Sequence, residues 1–121
     1  MAVTITGYHA HVYYDAISDD PAWSKQTAAA VREEAAKHFP DAVIGRWHDN
    51  PIGPHPKGSF QIAFNPELFG LIIPWLATNR RGLTIFIHTE TGHDLHDHRD
   101  YPMWMGSIQD LDLSLFEDDE S

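Results

Sequence analysis

The chain has 121 residues, 42% of them hydrophobic, a formal net charge of −10, nine histidines and no cysteine. That length and apolar content describe one folded domain with a real core, and the acidic balance argues against nucleic acid and anionic membranes as partners. Without cysteine there is no disulfide framework and no thiolate metal site. Any metal must be held by imidazole and carboxylate, a set suited to iron, manganese, zinc, copper or nickel.

Met1 to Gly7 lacks a basic segment followed by a long apolar run, and no apolar stretch approaches the roughly 20 residues that span a bilayer. A soluble, cytoplasmic protein is expected. Tyr8 to Tyr14 reads as a first strand, aromatic and free of Gly and Pro. Its alternation places His9, His11 and Tyr13 on one face and Ala10, Val12 and Tyr14 on the other. Ser18-Asp19-Asp20-Pro21 reads as a helix start, with Asp20 as N-cap and Pro21 in first position. That helix should run to about His38, bury Trp23, Ala30, Val31 and Ala35, and stop at Pro40.

Asp41 to His48 is a second predicted strand and Ser59 to Phe64 a third, with Phe60, Ile62 and Phe64 on one face. Between them, Gly45 to Pro56 holds His48 and His55 in a stretch stiffened by Pro51, Pro54 and Pro56. Asn65-Pro66-Glu67 opens a second helix through Leu68, Phe69, Ile72, Ile73 and Leu76, which Pro74 should kink or shorten. Asn79-Arg80-Arg81-Gly82 ends it, with the arginines placed as partners of the helix dipole. Leu83 to His88 is a fourth strand, sending Leu83, Ile85 and Ile87 one way and Thr84, Phe86 and His88 the other. His93 to His98 reads as a polar loop, and alternating Leu111, Leu113 and Leu115 suggest a short late edge strand. Residues 1–116 form one expected domain, and 117–121 an acidic, solvated tail.

The order β-α-β-β-α-β is that of the ferredoxin-like split βαβ fold, an α+β class with both helices on one face of an antiparallel sheet. In that topology strands one and four are antiparallel neighbours. His9, His11 and His88 then converge on the face turned away from the helices. A lone histidine is more often a hydrogen-bonded polar group than a ligand, but three converging imidazoles make a candidate metal site. Asp15, Asp49, Glu90 or Asp94 could add a carboxylate, so three His and two His plus one carboxylate both stay open. The open face calls for a cover, and a second subunit is the usual one.

His48 and His55 are candidates for acid–base work, or for ligands if their loop folds across that face. Arg46 could hold a substrate carboxylate. Tyr13 and His98 are further candidates for substrate contact. The spacing of His93, Asp94, His96, Asp97 and His98 does not match binuclear zinc hydrolases, and the His-Glu-x-x-His pattern is absent. Trp47, Trp75 and Trp104 read as core or contact residues.

Several segments are familiar together: His-Ala-His-Val-Tyr-Tyr (9–14), Gly-Arg-Trp-His-Asp (45–49), Gly-Pro-His-Pro (53–56) and Phe-Gln-Ile-Ala-Phe (60–64). Pro-Trp-Leu (74–76), Asn-Arg-Arg-Gly-Leu (79–83), His-Thr-Glu-Thr-Gly (88–92), Asp-His (97–98) and Trp-Met-Gly (104–106) follow in order. Over about residues 8 to 115 this set resembles the DOPA 4,5-dioxygenase family of fungi and bacteria. The resemblance implies a compact ferredoxin-like homodimer that cleaves a catechol such as DOPA in extradiol fashion with O₂ at a non-haem Fe(II), with Mn or Zn as other metals to consider. His11, His48, His55 and His88 are the motif-matched histidines, and His9 belongs to the bacterial form of the first motif. His93 and His96 look like additions of this chain. The sheet geometry assigns His9, His11 and His88 to the metal, with His48 and His55 left for proton transfer. A dimeric, non-catalytic metal- or aromatic-ligand-binding module of the same fold is the main alternative. A cofactor-free or haem-binding enzyme of that fold is the other, since this fold hosts many functions.

Overall fold

The computed structural model describes residues 3–14 and 21–119. Strand β1 (Gly7–Tyr14) leads to helix α1 (Pro21–His38), short strand β2 (Val43–Ile44) and strand β3 (Gly58–Phe64). A 3-10 turn at Pro66–Leu68 continues into helix α2 (Phe69–Asn79). Strand β4 (Ile85–Glu90), helix α3 (Asp94–Arg99), strand β5 (Met103–Met105) and a 3-10 helix at Leu113–Asp119 complete the chain. The strands form one antiparallel sheet in the order β2-β3-β1-β4-β5. Its first four members take the ferredoxin-like order, and β5 extends the sheet beyond β4.

The core lies between one sheet face and helices α1 and α2. Alternation puts Ala10, Val12 and Tyr14, then Phe60, Ile62 and Phe64, then Leu83, Ile85 and Ile87 on that face. Ala28, Val31 and Ala35 of α1 and Ile72 and Leu76 of α2 close over them. Burying a side chain the size of Ile62 or Phe60 stabilises the fold by roughly 1.5–3 kcal/mol.

The buried stripe of α1 is Ser24, Ala28, Val31 and Ala35, at helical spacing. Trp23 sits one residue, about 100°, off that stripe and is 52% exposed, so the expectation that it is buried fails. Ala30 is only partly buried for the same reason. The predicted cap at Asp20, the carboxylate of Asp15 and the side chains of residues 117–121 lie outside the described residues.

Pro74 does not shorten α2, which runs on to Asn79. One helical bond is lost at the carbonyl of Gly70, and the burial of Ile72 and Leu76 outweighs it. Past the helix, Arg81 (φ 55) and Gly82 (φ 84) take left-handed backbone. Arg80 donates to the carbonyl of Leu83 at 2.8 Å, and Arg81 pairs with Glu34 at 2.8 Å. Both arginines tie this turn to its neighbours.

Several boundaries differ from the sequence reading. The fourth strand begins two residues later than expected, at Ile85, and runs on to Glu90. The second strand keeps only Val43 and Ile44 in its ladder, with one isolated bridge from His48 to Ser59. The edge strand lies at Met103–Met105, against β4, while Leu113 to Leu115 belong to the closing 3-10 helix. Residues 94–99 form α3 rather than a loop. No helix among the described residues is long and apolar enough to cross a membrane.

Candidate metal centre and adjoining cavity

The sheet face opposite the core carries His9, His11 and Tyr13 of β1, Ser59, Gln61 and Ala63 of β3, and Phe86 and His88 of β4. His9 stands directly opposite His88, and His11 between Gln61 and Phe86. Cross-strand neighbours on one face lie close enough for their side chains to meet. One ring nitrogen from each of His9, His11 and His88 falls within 4.8 Å of the others. The Nε2 atoms of His11 and His88 are 3.0 Å apart. At that separation they share one proton, and a cation displacing it would meet two lone pairs.

Two of the three outer nitrogens are anchored. His88 Nδ1–H donates to the carbonyl of Thr89 at 2.9 Å, and His9 Nδ1 lies 3.1 Å from the Glu90 carboxylate. This fixes Nε2 as the inward donor atom on both rings, the arrangement that orients ligand histidines. Burial, then the neighbouring His98, holds His88 down to about 3. Burial, followed by His55 and His88, keeps His11 well below the ordinary histidine value, and burial with His98 lowers His9. All three are therefore neutral at pH 7, the form that binds a metal.

Glu90 reaches the back of this cluster, 3.1 Å from His9 Nδ1 and 3.5 Å from His88 Nδ1. Its pKa is raised, first by burial and then by Asp97 and Asp94. It braces the outer nitrogens instead of standing among the inward ones. Asp49 is engaged by the Tyr14 hydroxyl and by Lys25 at 2.7 Å, and Asp94 is exposed. Three neutral imidazoles without sulfur fit Fe(II), Mn(II) or Zn(II).

The segment after β2 folds back toward the same face. Ile44 pairs with Ile62 and His48 bridges Ser59, so four steps on one side match three on the other. The extra residue makes a β-bulge, which re-aims the chain. Trp47 packs on Tyr14 and Phe60 in the core, and His48 faces the open side. Gly53 at φ 58 and a bond from His55 N–H to the Ile52 carbonyl at 3.1 Å then reverse the chain. Asp112 N–H donates to the Pro54 carbonyl at 2.9 Å and pins it. His55 lands with its ring 4.1 Å from that of His11 and its Nδ1 2.7 Å from the Tyr13 hydroxyl.

A cavity of about 220 Å³ opens here, floored by His11, Ser59 and Gln61 and walled by His48, Pro54 and His55. It is below the roughly 300–1,000 Å³ of drug-sized sites, so it suits a small molecule. Burial, with smaller contributions from His98 and His48, lowers His55 to about 4. Burial raises the Tyr13 hydroxyl, which stays protonated.

The other flank is built by α3. Asp97 is fully buried and accepts bonds from Thr89 Oγ1 (2.7 Å), Thr91 N–H (3.0 Å) and Thr91 Oγ1 (2.8 Å). These bonds lock α3 to the end of β4. His98 consequently lies with its ring 4.1 Å from that of His88, sandwiched by Phe116 at 4.4 Å, and its Nδ1–H donates to the Asp94 carbonyl at 2.7 Å. Trp104 of β5 stacks on Phe86 at 4.6 Å. The chain itself thus covers much of the face for which a second subunit was expected.

Of the sequence candidates, His9, His11 and His88 come together, His55 and His48 line the cavity beside them, and His98 packs against the cluster. Tyr13 is buried and commits its hydroxyl to His55. Arg46 lies at the bulge, exposed, and does not line the cavity. His96 faces outward to Asp100 at 2.6 Å, and His93 is exposed. Asp97 as an anchor was missed, because a buried carboxylate is recognisable only from the threonines it meets.

Fold and site together define a ferredoxin-like α+β domain with an imidazole cluster on its open sheet face. The chain matches the Dopa 4,5-dioxygenase family over residues 8–115 and belongs to that family. It is 36% identical over 116 residues to an uncharacterized 21.2 kDa protein of Botryotinia fuckeliana, covering 89% of this chain and 62% of that one. It is 30% identical over 115 residues to the DOPA 4,5-dioxygenase of Amanita muscaria, covering 91% and 49%. The chain thus spans about half to three-fifths of the length of these curated relatives. A crystal structure from Nostoc punctiforme, provisionally described as a dioxygenase, is 47% identical with a TM-score of 0.82, covering 90% of this chain and 89% of that one.

Proposed function

We propose that this protein is an extradiol catechol dioxygenase using a non-haem Fe(II) held by His9, His11 and His88. The observation that carries the reading is the convergence of three neutral imidazoles, two of them anchored at Nδ1, beside a small cavity. Family membership supports the reaction class. Fe(II) bound there would supply a meeting point for the catechol oxygens and O₂. His55 is the proton acceptor. With Nδ1–H donated to the Tyr13 oxygen, its Nε2 keeps a lone pair for a catechol proton, and the resulting imidazolium remains held by the same bond. A catecholate beside it raises its affinity for that proton, offsetting the effect of burial. His48 faces the cavity from the bulge and serves as the second proton-handling group. The His98 ring shields His88 from water. The working unit is a homodimer in the cytoplasm, a part of the proposal that light scattering on the purified protein checks.

Elemental analysis of protein purified without chelator should find about one iron per chain. Anaerobic loading with Fe(II), followed by catechol and O₂, should yield a yellow semialdehyde with equimolar O₂ uptake. Metal uptake without O₂ consumption by any catechol would instead favour a binding module.

A further inference from the structure

Strand β3 presents two polar side chains to the cavity that the proton chemistry does not use. Ser59 is 2% exposed and lines the cavity, and its hydroxyl makes no hydrogen bond among the described residues. Two residues along the same face, Gln61 stands opposite His11. Its backbone carbonyl accepts from Gly45 N–H at 2.7 Å, while its side-chain amide has no partner among the described residues. Buried polar groups are normally satisfied, and a hydroxyl left open toward a cavity awaits a ligand or a water. The face itself does not demand polarity, since the next residue on it is Ala63. The rest of the lining is Ile52, Gly53, Pro54 and imidazole, with no Lys or Arg among the lining residues. A ring carboxylate entering this space would lose water without meeting a Lys or Arg, and the catechol oxygens would already offset the charge of a cation at the imidazoles.

Building on the catechol reading, we propose that Ser59 and Gln61 are specificity-determining residues. They bind an uncharged, hydrogen-bonding substituent of the catechol ring, such as a hydroxymethyl or carboxamide group, and the site disfavours ring carboxylates. The hydroxyl and the amide offer both donors and acceptors, so either polarity of neutral substituent is matched.

The test is anaerobic calorimetric titration of the purified protein with 4-methylcatechol, 4-(hydroxymethyl)catechol and 3,4-dihydroxybenzoate. The hydroxymethyl compound should bind about tenfold tighter than the methyl compound, and the carboxylate weakest of the three. Ser59→Ala and Gln61→Leu should each shrink the hydroxymethyl-to-methyl ratio toward one without changing metal content. Tightest binding by the carboxylate, a ratio near one in the unaltered protein, or an unchanged ratio in both variants would overturn the proposal. So would failure of all three compounds to bind. The readout needs no turnover: the expected ranking without ring cleavage in air would overturn the catalytic reading and leave the subsite standing.

Discussion

At the scale of single residues, the histidines divide by what holds their second nitrogen. His88 and His9 are tied at Nδ1 to a carbonyl and a carboxylate, so Nε2 faces inward, while His55 is tied to a phenol that cannot easily lose its proton. His11→Ala and His88→Ala should therefore abolish metal retention in elemental analysis. His55→Ala should keep the metal and lower turnover roughly 10²–10⁴-fold. The reverse pattern would exchange the assigned roles. The same side chains set the acid limit of the metal-free protein. Folding lowers the pKa of His9, His11, His55 and His88. The unfolded chain thus binds more protons once pH falls below about 6.5. Stability is fullest above that value and declines as pH drops toward about 4, then about 3, where His55 and His88 titrate in the fold. Urea midpoints of chelator-treated protein should be flat from pH 7 to 8 and fall steadily from pH 6.5 to 4.5. A flat profile across that range would contradict the shared burial of these rings.

At the scale of elements, α3 shows how a short helix is placed by one carboxylate. Its six residues are too few to be stable alone, and Leu95 and Asp97 are its buried side chains. Asp97→Ala leaves the two Thr89 and Thr91 hydroxyls and one N–H without their acceptor, and should cost about 2–4 kcal/mol by denaturant unfolding. Turnover should fall as well, because His98 loses its seat against His88. Asp97→Glu should recover little, since the pocket is filled. The same element explains where sequence reading stopped. Strands β1, β3 and β4 and the two long helices were legible because alternation and helical spacing repeat several times along each, whereas β2, two residues long, falls short of its predicted span. Residues 94–99 offered only Leu95 as an apolar position, and Met103–Met105 is too short to display a period. Leu111, Leu113 and Leu115 alternate like a strand but face no second layer: Leu115 is 59% exposed. The segment takes a 3-10 helix, whose three-residue repeat aligns Leu113 with Phe116, and Phe116 stacks on His98.

At the scale of the whole molecule, one sheet serves two environments. The helix side is a sealed apolar core, and the opposite side is a half-sealed aromatic and imidazole layer. Phe60 and Phe86 are both fully buried, one on each side. Replacing either by alanine should cost about 3–5 kcal/mol. Phe86 stacks against Trp104 and lies 5.6 Å from His11 and 5.3 Å from His88 by ring centroids, so Phe86→Ala should also loosen the metal. Phe60→Ala should leave metal affinity unchanged, as competition with a chelator would measure. The convergence of His9, His11 and His88 was legible from topology alone, because register follows from strand order. The places of His55, His48 and Arg46 were not, because they depend on a bulge and a reversed loop that leave no periodic trace.

That bulge makes residue count between Ile44 and His48 a question of parity. In an unbroken strand, Ile44 and His48 would share a face, and His48 would stand opposite Gly58 on the core side. The single surplus residue turns an even interval into an odd one and delivers an imidazole to the cavity while keeping Trp47 inside. Loss of the surplus residue at Gly45 or Arg46 would leave three steps against three, a regular ladder in which His48 still opposes Ser59 on the cavity side and Trp47 stays inside. What the bulge sets is therefore the local bend of the chain, and any further change in length there must be absorbed by the loop or by the register. In this stretch the pairing of the chain with β3, more than the identity of Arg46, decides which side of the molecule each aromatic ring serves.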